Sequence, residues 1–245
     1  MAIRTLITFS LIALVVSSFV RADEGDQATD RRFVPARFAG GLDAASENIR
    51  FPDYKRDVTV YINCAARLSV TAEVERYFCL DYYGVGDTKF REAAEEFIAA
   101  AELSPAQVDG EAKGVEIYFR VFFGRKGDLY AAGVFPNWGD DADKYGLDYE
   151  APQRYNEDPP APKCGTVAGI SRVQVTANGS SAGDVDLIMS YGVPEHYSAC
   201  ETWMTQVVRD GQYIPAQHEG TSVTATYVEL RGDPDWFTLK KPEGL

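Results

Sequence analysis

Ser104-Pro105-Ala106-Gln107-Val108-Asp109-Gly110 is matched, 110 positions on, by Ile214-Pro215-Ala216-Gln217-His218-Glu219-Gly220, so the pattern Pro-Ala-Gln-x-acid-Gly stands twice in the chain. An acid followed by Gly marks a tight turn, because Gly supplies the backbone angles that other residues avoid. Upstream, Tyr83-Gly84-Val85 is matched by Tyr191-Gly192-Val193. Each pair of anchors brackets a helical pattern. In the first interval Phe90, Ala93, Ala94, Phe97, Ile98 and Ala101 recur at three- and four-residue spacing, with Lys89, Arg91, Glu92, Glu95, Glu96 and Glu102 opposite. That spacing places one apolar stripe on one side of a helix, which can then lie on a sheet. Gly84 to Thr88 breaks the chain ahead of it and Ser104-Pro105 ends it. In the second interval Tyr197, Cys200, Met204, Val207 and Val208 give the corresponding stripe.

Working outward, Val58, Val60, Ile62 and Cys64 alternate with Thr59, Tyr61 and Asn63, the two-residue period of a half-buried strand, and a second strand covers Val74 to Leu80. Val115, Ile117, Phe119, Val121 and Phe123 alternate with Glu116, Tyr118, Arg120 and Phe122, and Gly124 to Asp128 closes this unit. Beyond it, Val173 and Val175 pair with Val185 to Met189 around an Asn178-Gly179 turn, and Val223 to Leu230 supplies a last strand. Strand, strand, helix, strand therefore occurs twice. The expected fold is α+β: two small β-β-α-β modules, each an antiparallel sheet with one helix on a face, arising by duplication. The boundaries are a signal peptide at 1–22, a flexible leader at 23–50, module 1 at 51–128, a linker at 129–164, module 2 at 165–232 and a tail at 233–245. The linker is assigned because Asn137 to Asp143 and Asp158 to Pro162 combine acid, Gly and Pro without periodicity.

These residues resemble the TonB C-terminal domain family, whose pattern is a hairpin, a helix after a Gly-containing break, an aromatic-x-Pro-Ala-x-x-x-Gly turn and a last strand. Tyr213-Ile214-Pro215-Ala216 with Gly220 fits it, and Leu103 stands where the first copy would carry the aromatic. The resemblance implies a small periplasmic domain whose sheet edge receives an extended segment of an envelope partner, backbone hydrogen bonds giving affinity. The candidate edges are Val115, Ile117, Phe119 and Val121 in the first copy and Val223, Ala225 and Tyr227 in the second; the rival expectation is that the other module, the linker or a dimer partner covers them, since exposed strands are ordinarily protected. The chain departs from an energy transducer of that family, which keeps an uncleaved N-terminal helix and a long Pro-rich stalk; here the leader holds Pro35 alone.

Arg4, the apolar run Leu6 to Val20 and the small-x-small Val20-Arg21-Ala22 read as a cleaved signal peptide, so a periplasmic or secreted chain without stable membrane insertion is expected. Losing Arg4 and Arg21 with it moves the formal charge from −13 to −15. That charge, with no basic cluster, argues against nucleic acid. Four cysteines in an exported chain favour two disulfides, with Cys64 to Cys79 and Cys164 to Cys200 preferred among the three pairings. No enzyme is expected. The histidines His196 and His218 read as surface loop residues, and no nucleophile elbow, phosphate loop or His-Glu-x-x-His is present. Asp141, Asp143, Tyr145, Gly146 and Asp148 have calcium-loop spacing, but Pro152 stands where the bidentate Glu belongs. Neither cofactor nor metal is expected. The aromatic set Tyr61, Tyr77, Tyr82, Tyr83, Tyr118, Phe122 and Trp138 reads as buried between the modules. The rival functions are a structural protein that dimerises through sheet edges and a metal-dependent envelope enzyme using the acidic linker.

Overall fold

The hairpin at Val58–Leu68 and Val74–Tyr83 forms as its alternation requires, and it leads into a helix at Thr88–Ala100. The computed structural model describes residues 31–83, 88–162, 168–190 and 194–231; the expected signal peptide and C-terminal tail lie outside them. In chain order the elements begin with β1 (Phe33–Val34), β2 (Arg37–Phe38) and α1 (Gly41–Glu47), and the hairpin is β3 and β4 with α2 after it. Then come β5 (Leu103–Ser104), β6 (Ala106–Val108), β7 (Glu111–Lys113), β8 (Val115–Lys126) and β9 (Leu129–Phe135). The middle holds α3 (Ala142–Tyr145) and β10 (Gln153–Arg154). The rest is β11 (Ala168–Val175), β12 (Ser181–Ser190), α4 (Pro194–Arg209), β13 (Tyr213–Ile214), β14 (Ala216–His218), β15 (Thr221–Val223) and β16 (Ala225–Arg231).

The fold is α+β and sheet-rich, with antiparallel pairing throughout. The larger sheet runs β13-β10-β8-β3-β4, with β9 also on β8; the smaller runs β12-β11-β16. The apolar positions of β3 and β8 face one side. Val60, Ile62, Cys64, Val115, Phe119, Val121 and Phe123 are buried there beneath Phe90, Ala94, Phe97 and Ile98 of α2. Removing a side chain such as Phe97 from water stabilises by about 1.5–3 kcal/mol. The opposite face of the same sheet, at Ala65, Phe78 and Tyr118, packs against Val173, Tyr213, Tyr227 and Val228 of the second half. Cys200 and Met204 of α4 pack with Leu187 and Met189 of β12.

The two Pro-Ala-Gln turns take one conformation. Asp109 and Gly110 have φ of 54° and 85°, and Glu219 and Gly220 have 51° and 75°, each pair linking two three-residue strands. Gly179 at the β11–β12 turn admits no side chain. Its φ is +81°, and a Cβ there would lie 2.3 Å from the Tyr213 carbonyl oxygen.

Two stretches differ from expectation. From Phe33 the expected leader at 23–50 is ordered: β1 pairs with β6, β2 pairs with β5, and Phe38 stacks on Phe97 and Phe119 at 5.4 and 5.6 Å between centroids. The expected linker at 129–164 is no tether either. The two-residue turn Gly127-Asp128, with Gly127 at φ 61°, sends the chain back as β9 along β8. Later β10 bonds to β8 on one side and β13 on the other. Irregular composition hid these pieces because two-residue strands carry no readable period.

Candidate functional site

Every edge named from the sequence is accounted for. Val115, Ile117, Phe119 and Val121 are buried in a strand with neighbours on both sides: β8 pairs with β3 from Val115 to Arg125 and, on its other side, with β9 from Arg120 onward and with β10 at Glu116, so only the stretch at Ile117 to Phe119 has no described strand there. In the second half Val223 belongs to β15, while Ala225 and Tyr227 are buried in β16, the outer strand of its sheet. Its outward backbone is occupied at the start of the strand. The Thr226 N–H donates to Asp141 Oδ2 at 2.6 Å, and the Tyr145 hydroxyl donates to the Thr224 carbonyl at 2.7 Å. The segment with calcium-loop spacing thus covers a strand edge, with Asp140 also holding Arg172 at 3.2 Å. Among the described residues no three His, Cys, Asp or Glu side chains gather as metal ligands.

The outer edge of β12 is different, since no strand among the described residues pairs with it. Backbone groups alternate along an antiparallel strand. The outward Thr226 N–H, read through the β16–β11 and β11–β12 registers, places the N–H groups of Val185, Leu187 and Met189 on the open side. Ile188 is 53% exposed beside it, and Asp184 and Asp186 are exposed on the same strand. The outer edge of β4 also pairs with no described strand, but Tyr77, Phe78 and Cys79 within it are buried.

Between the halves lies a buried ionic cluster that sequence reading missed. Arg154 of β10 is 1% exposed; its Nε donates to Glu229 Oε2 at 3.0 Å, and its Nη2 to Glu116 at 3.2 Å and Asp158 at 2.6 Å. Arg231 reaches Glu116 and Asp158 at 3.1 and 2.8 Å and also pairs with Glu229. Arg76 stands 3.6 Å from Glu116. Burial pulls Arg154 toward its neutral form, but Glu229 and then Glu116 and Asp158 outweigh it and hold the guanidinium charged. The Tyr227 hydroxyl donates to Glu229 at 2.8 Å, and burial, with Glu229 beside it, pushes this phenol well up. Burial likewise raises Tyr118, whose ring meets Trp138 and Tyr227 edge-on, and Tyr213. Tyr77 and Trp138 of the aromatic set are buried too, while Tyr61 and Phe122 are partly exposed and paired at 5.3 Å. The side chains of Tyr82 and Tyr83 lie outside the described residues.

A cavity of about 430 Å³ opens beside β8. Between Arg120, paired to β9, and Glu116, paired to β10, the outer edge of β8 has no described strand against it. Ile117 and Phe119 form the wall there, Pro136 and Ala151 the sides, and the strap from Ala36 to Leu42 the roof. The strap is fastened at two points. Gln153 accepts from the Ala36 N–H and donates to the Ala36 carbonyl, both at 2.8 Å, and Arg37 makes a two-pronged pair with Glu150 at 2.5 and 2.9 Å.

Cys64 and Cys79 face each other across β3 and β4 and form a disulfide. Cys200 is disulfide-bonded, and Cys164 lies outside the described residues. His218 sits in β14 with its ring 5.4 Å from that of Tyr145; His196 falls in α4, its side chain outside the described residues. No described helix is long and apolar enough to cross a membrane. Comparison with protein-family models, with curated proteins and with solved structures finds no match to this chain.

Proposed function

We propose that this chain is a non-catalytic, exported binding protein built from two copies of a TonB C-terminal-like module, holding an extended segment of an envelope protein along the outer edge of β12. The observation that carries this reading is the contrast among edges: β8 has strands on both sides except at Ile117 to Phe119, and β16 is covered at its start by Asp141 and Tyr145, while the side of β12 away from β11 has no described strand against it. Exposed edges are ordinarily protected, and an edge left open is a template for strand addition. The duplicated module is supported by the shared order of strands, hairpin partner, first strand, last strand, in β4-β3-β8 and β12-β11-β16, and by the two matching turns.

Asp184 and Asp186 sharpen the partner's chemistry. In an antiparallel pair of two copies centred on Val185 they would face each other, which destabilises, whereas a segment with alternating Lys or Arg would be favoured at Asp184 and would add to Arg172, which stands 3.9 Å from Asp186. A basic extended segment is therefore the ligand, and homodimerisation through this edge is the lesser reading. A photo-crosslinking residue at Ile188, in the cells that make the protein, should join the chain to a second polypeptide. Val185→Pro, which removes an outward N–H, and Ile188→Lys should each abolish binding of that partner while the circular dichroism stays unchanged. Crosslinks that persist in the folded Val185→Pro protein would remove the β12 edge from consideration. A crosslink to another copy of the chain would make it a dimerising structural protein.

A further inference from the structure

The gap in the large sheet is apolar, roofed and offers no free charge. The charged side chains lining it, Arg37 and Glu150, neutralise each other in their two-pronged pair. The Gln153 amide is committed at both ends to the Ala36 backbone, and the Ser104 hydroxyl donates to the Arg37 carbonyl. Tyr118 turns its ring to the opposite face of the sheet, onto Trp138 and Tyr227. What remains for an occupant is the apolar surface of Phe38, Leu42, Leu103, Ile117 and Phe119, beside the uncharged backbone edge of β8 between Glu116 and Arg120. A ligand carrying a charge would have to break the Arg37–Glu150 pair or enter unpaired, and an unpaired buried charge is costly. An anion would also face the field of a chain with formal charge −13.

We propose that this cavity is a binding site for a small uncharged apolar molecule, with the Ala36–Leu42 strap as its cover and the Arg37–Glu150 pair as the latch. The volume falls within the range of pockets that enclose small organic ligands. The site is separate from the β12 edge, so its failure leaves the proposed protein-binding function standing.

A matched pair of fluorescent probes tests it on the whole chain: N-phenyl-1-naphthylamine, which is neutral, and anilinonaphthalene sulfonate, which carries the same rings with an anionic group. The neutral probe should bind saturably at one site per chain and the sulfonate about tenfold more weakly. Ala151→Trp and, separately, Leu42→Trp fill the space from opposite sides, and each should weaken the neutral probe at least about tenfold in a protein with unchanged circular dichroism. In the unaltered protein 1-octanol should displace the probe and octanoate should not, a reading that needs no variant to fold. Absence of saturable binding, equal affinity for the two probes, or full affinity in a folded Ala151→Trp protein would each overturn the assignment.

Discussion

Two segments of this protein carry the same four-residue pattern and hold the fold together with very different force. Pro35-Ala36-Arg37-Phe38 and Pro152-Gln153-Arg154-Tyr155 both read Pro-x-Arg-aromatic. Each precedes the hairpin of its half, and each pairs with the short strand ahead of a Pro-Ala-Gln turn, β2 with β5 and β10 with β13. Arg37 is 47% exposed and bonds to one carboxylate, Glu150. Arg154 is almost fully buried against Glu116, Glu229 and Asp158. The comparison teaches that the motif alone does not set the energy of its arginine. An exposed pair is screened and pays side-chain entropy, so it contributes little, whereas a buried cation cannot lose its partners without leaving charge stranded in a poor dielectric.

The largest expected effect follows from breaking the inner member. Arg154→Met should cost about 3–5 kcal/mol in urea unfolding, because three carboxylates lose the more deeply buried of the two cations that touch all of them, leaving Arg231 alone to balance them. Combining it with Glu229→Leu should cost less than the two single changes together, since the double variant strands fewer charges. Next in size is an alkaline effect carried by buried tyrosines, three of them in the inner region and Tyr149 outside it. Burial raises the phenols of Tyr118, Tyr213 and Tyr227 above their unfolded value of about 10. The folded state then holds these protons more tightly than the unfolded one. The stability tied to them is intact below about pH 10 and is lost as pH rises toward the folded values, by about 1.4 kcal/mol per pH unit for each such tyrosine. Unfolding curves with phenolate absorbance should show this slope, and Tyr118→Phe should reduce it by one tyrosine's share. The smallest effect belongs to the outer member: Arg37→Met should change stability by less than about 1 kcal/mol. A loss at Arg37 as large as that at Arg154 would refute the comparison.

The long periodic elements were legible in the sequence. The stripe from Phe90 to Ile98 lies buried in α2, the alternation from Val115 to Phe123 lies in β8, and Asn178-Gly179 marks the β11–β12 turn. The role of β8 was not legible. Alternating residues report which face is buried and carry no information on whether a strand has one neighbour or two, so the reading stopped at Gly124 to Asp128, where Gly127 starts another hairpin. Which edge stays open was equally hidden, because the cover on β16 comes from Asp141 and Tyr145, far away in sequence. Arg154 and the strap left one usable signal, the repeated Pro-x-Arg-aromatic run. It is too short to stand out unless the repeated Pro-Ala-Gln pattern is already in view.

The position of β10 bears on how such a chain can evolve. It lies between β8 of the first half and β13 of the second, with its arginine held by acids from both. The two halves are stitched together through this strand, so neither carries its sheet contacts by itself. Deleting either half from the gene, or exchanging it with another, would leave this interlocking segment without one of its two neighbours.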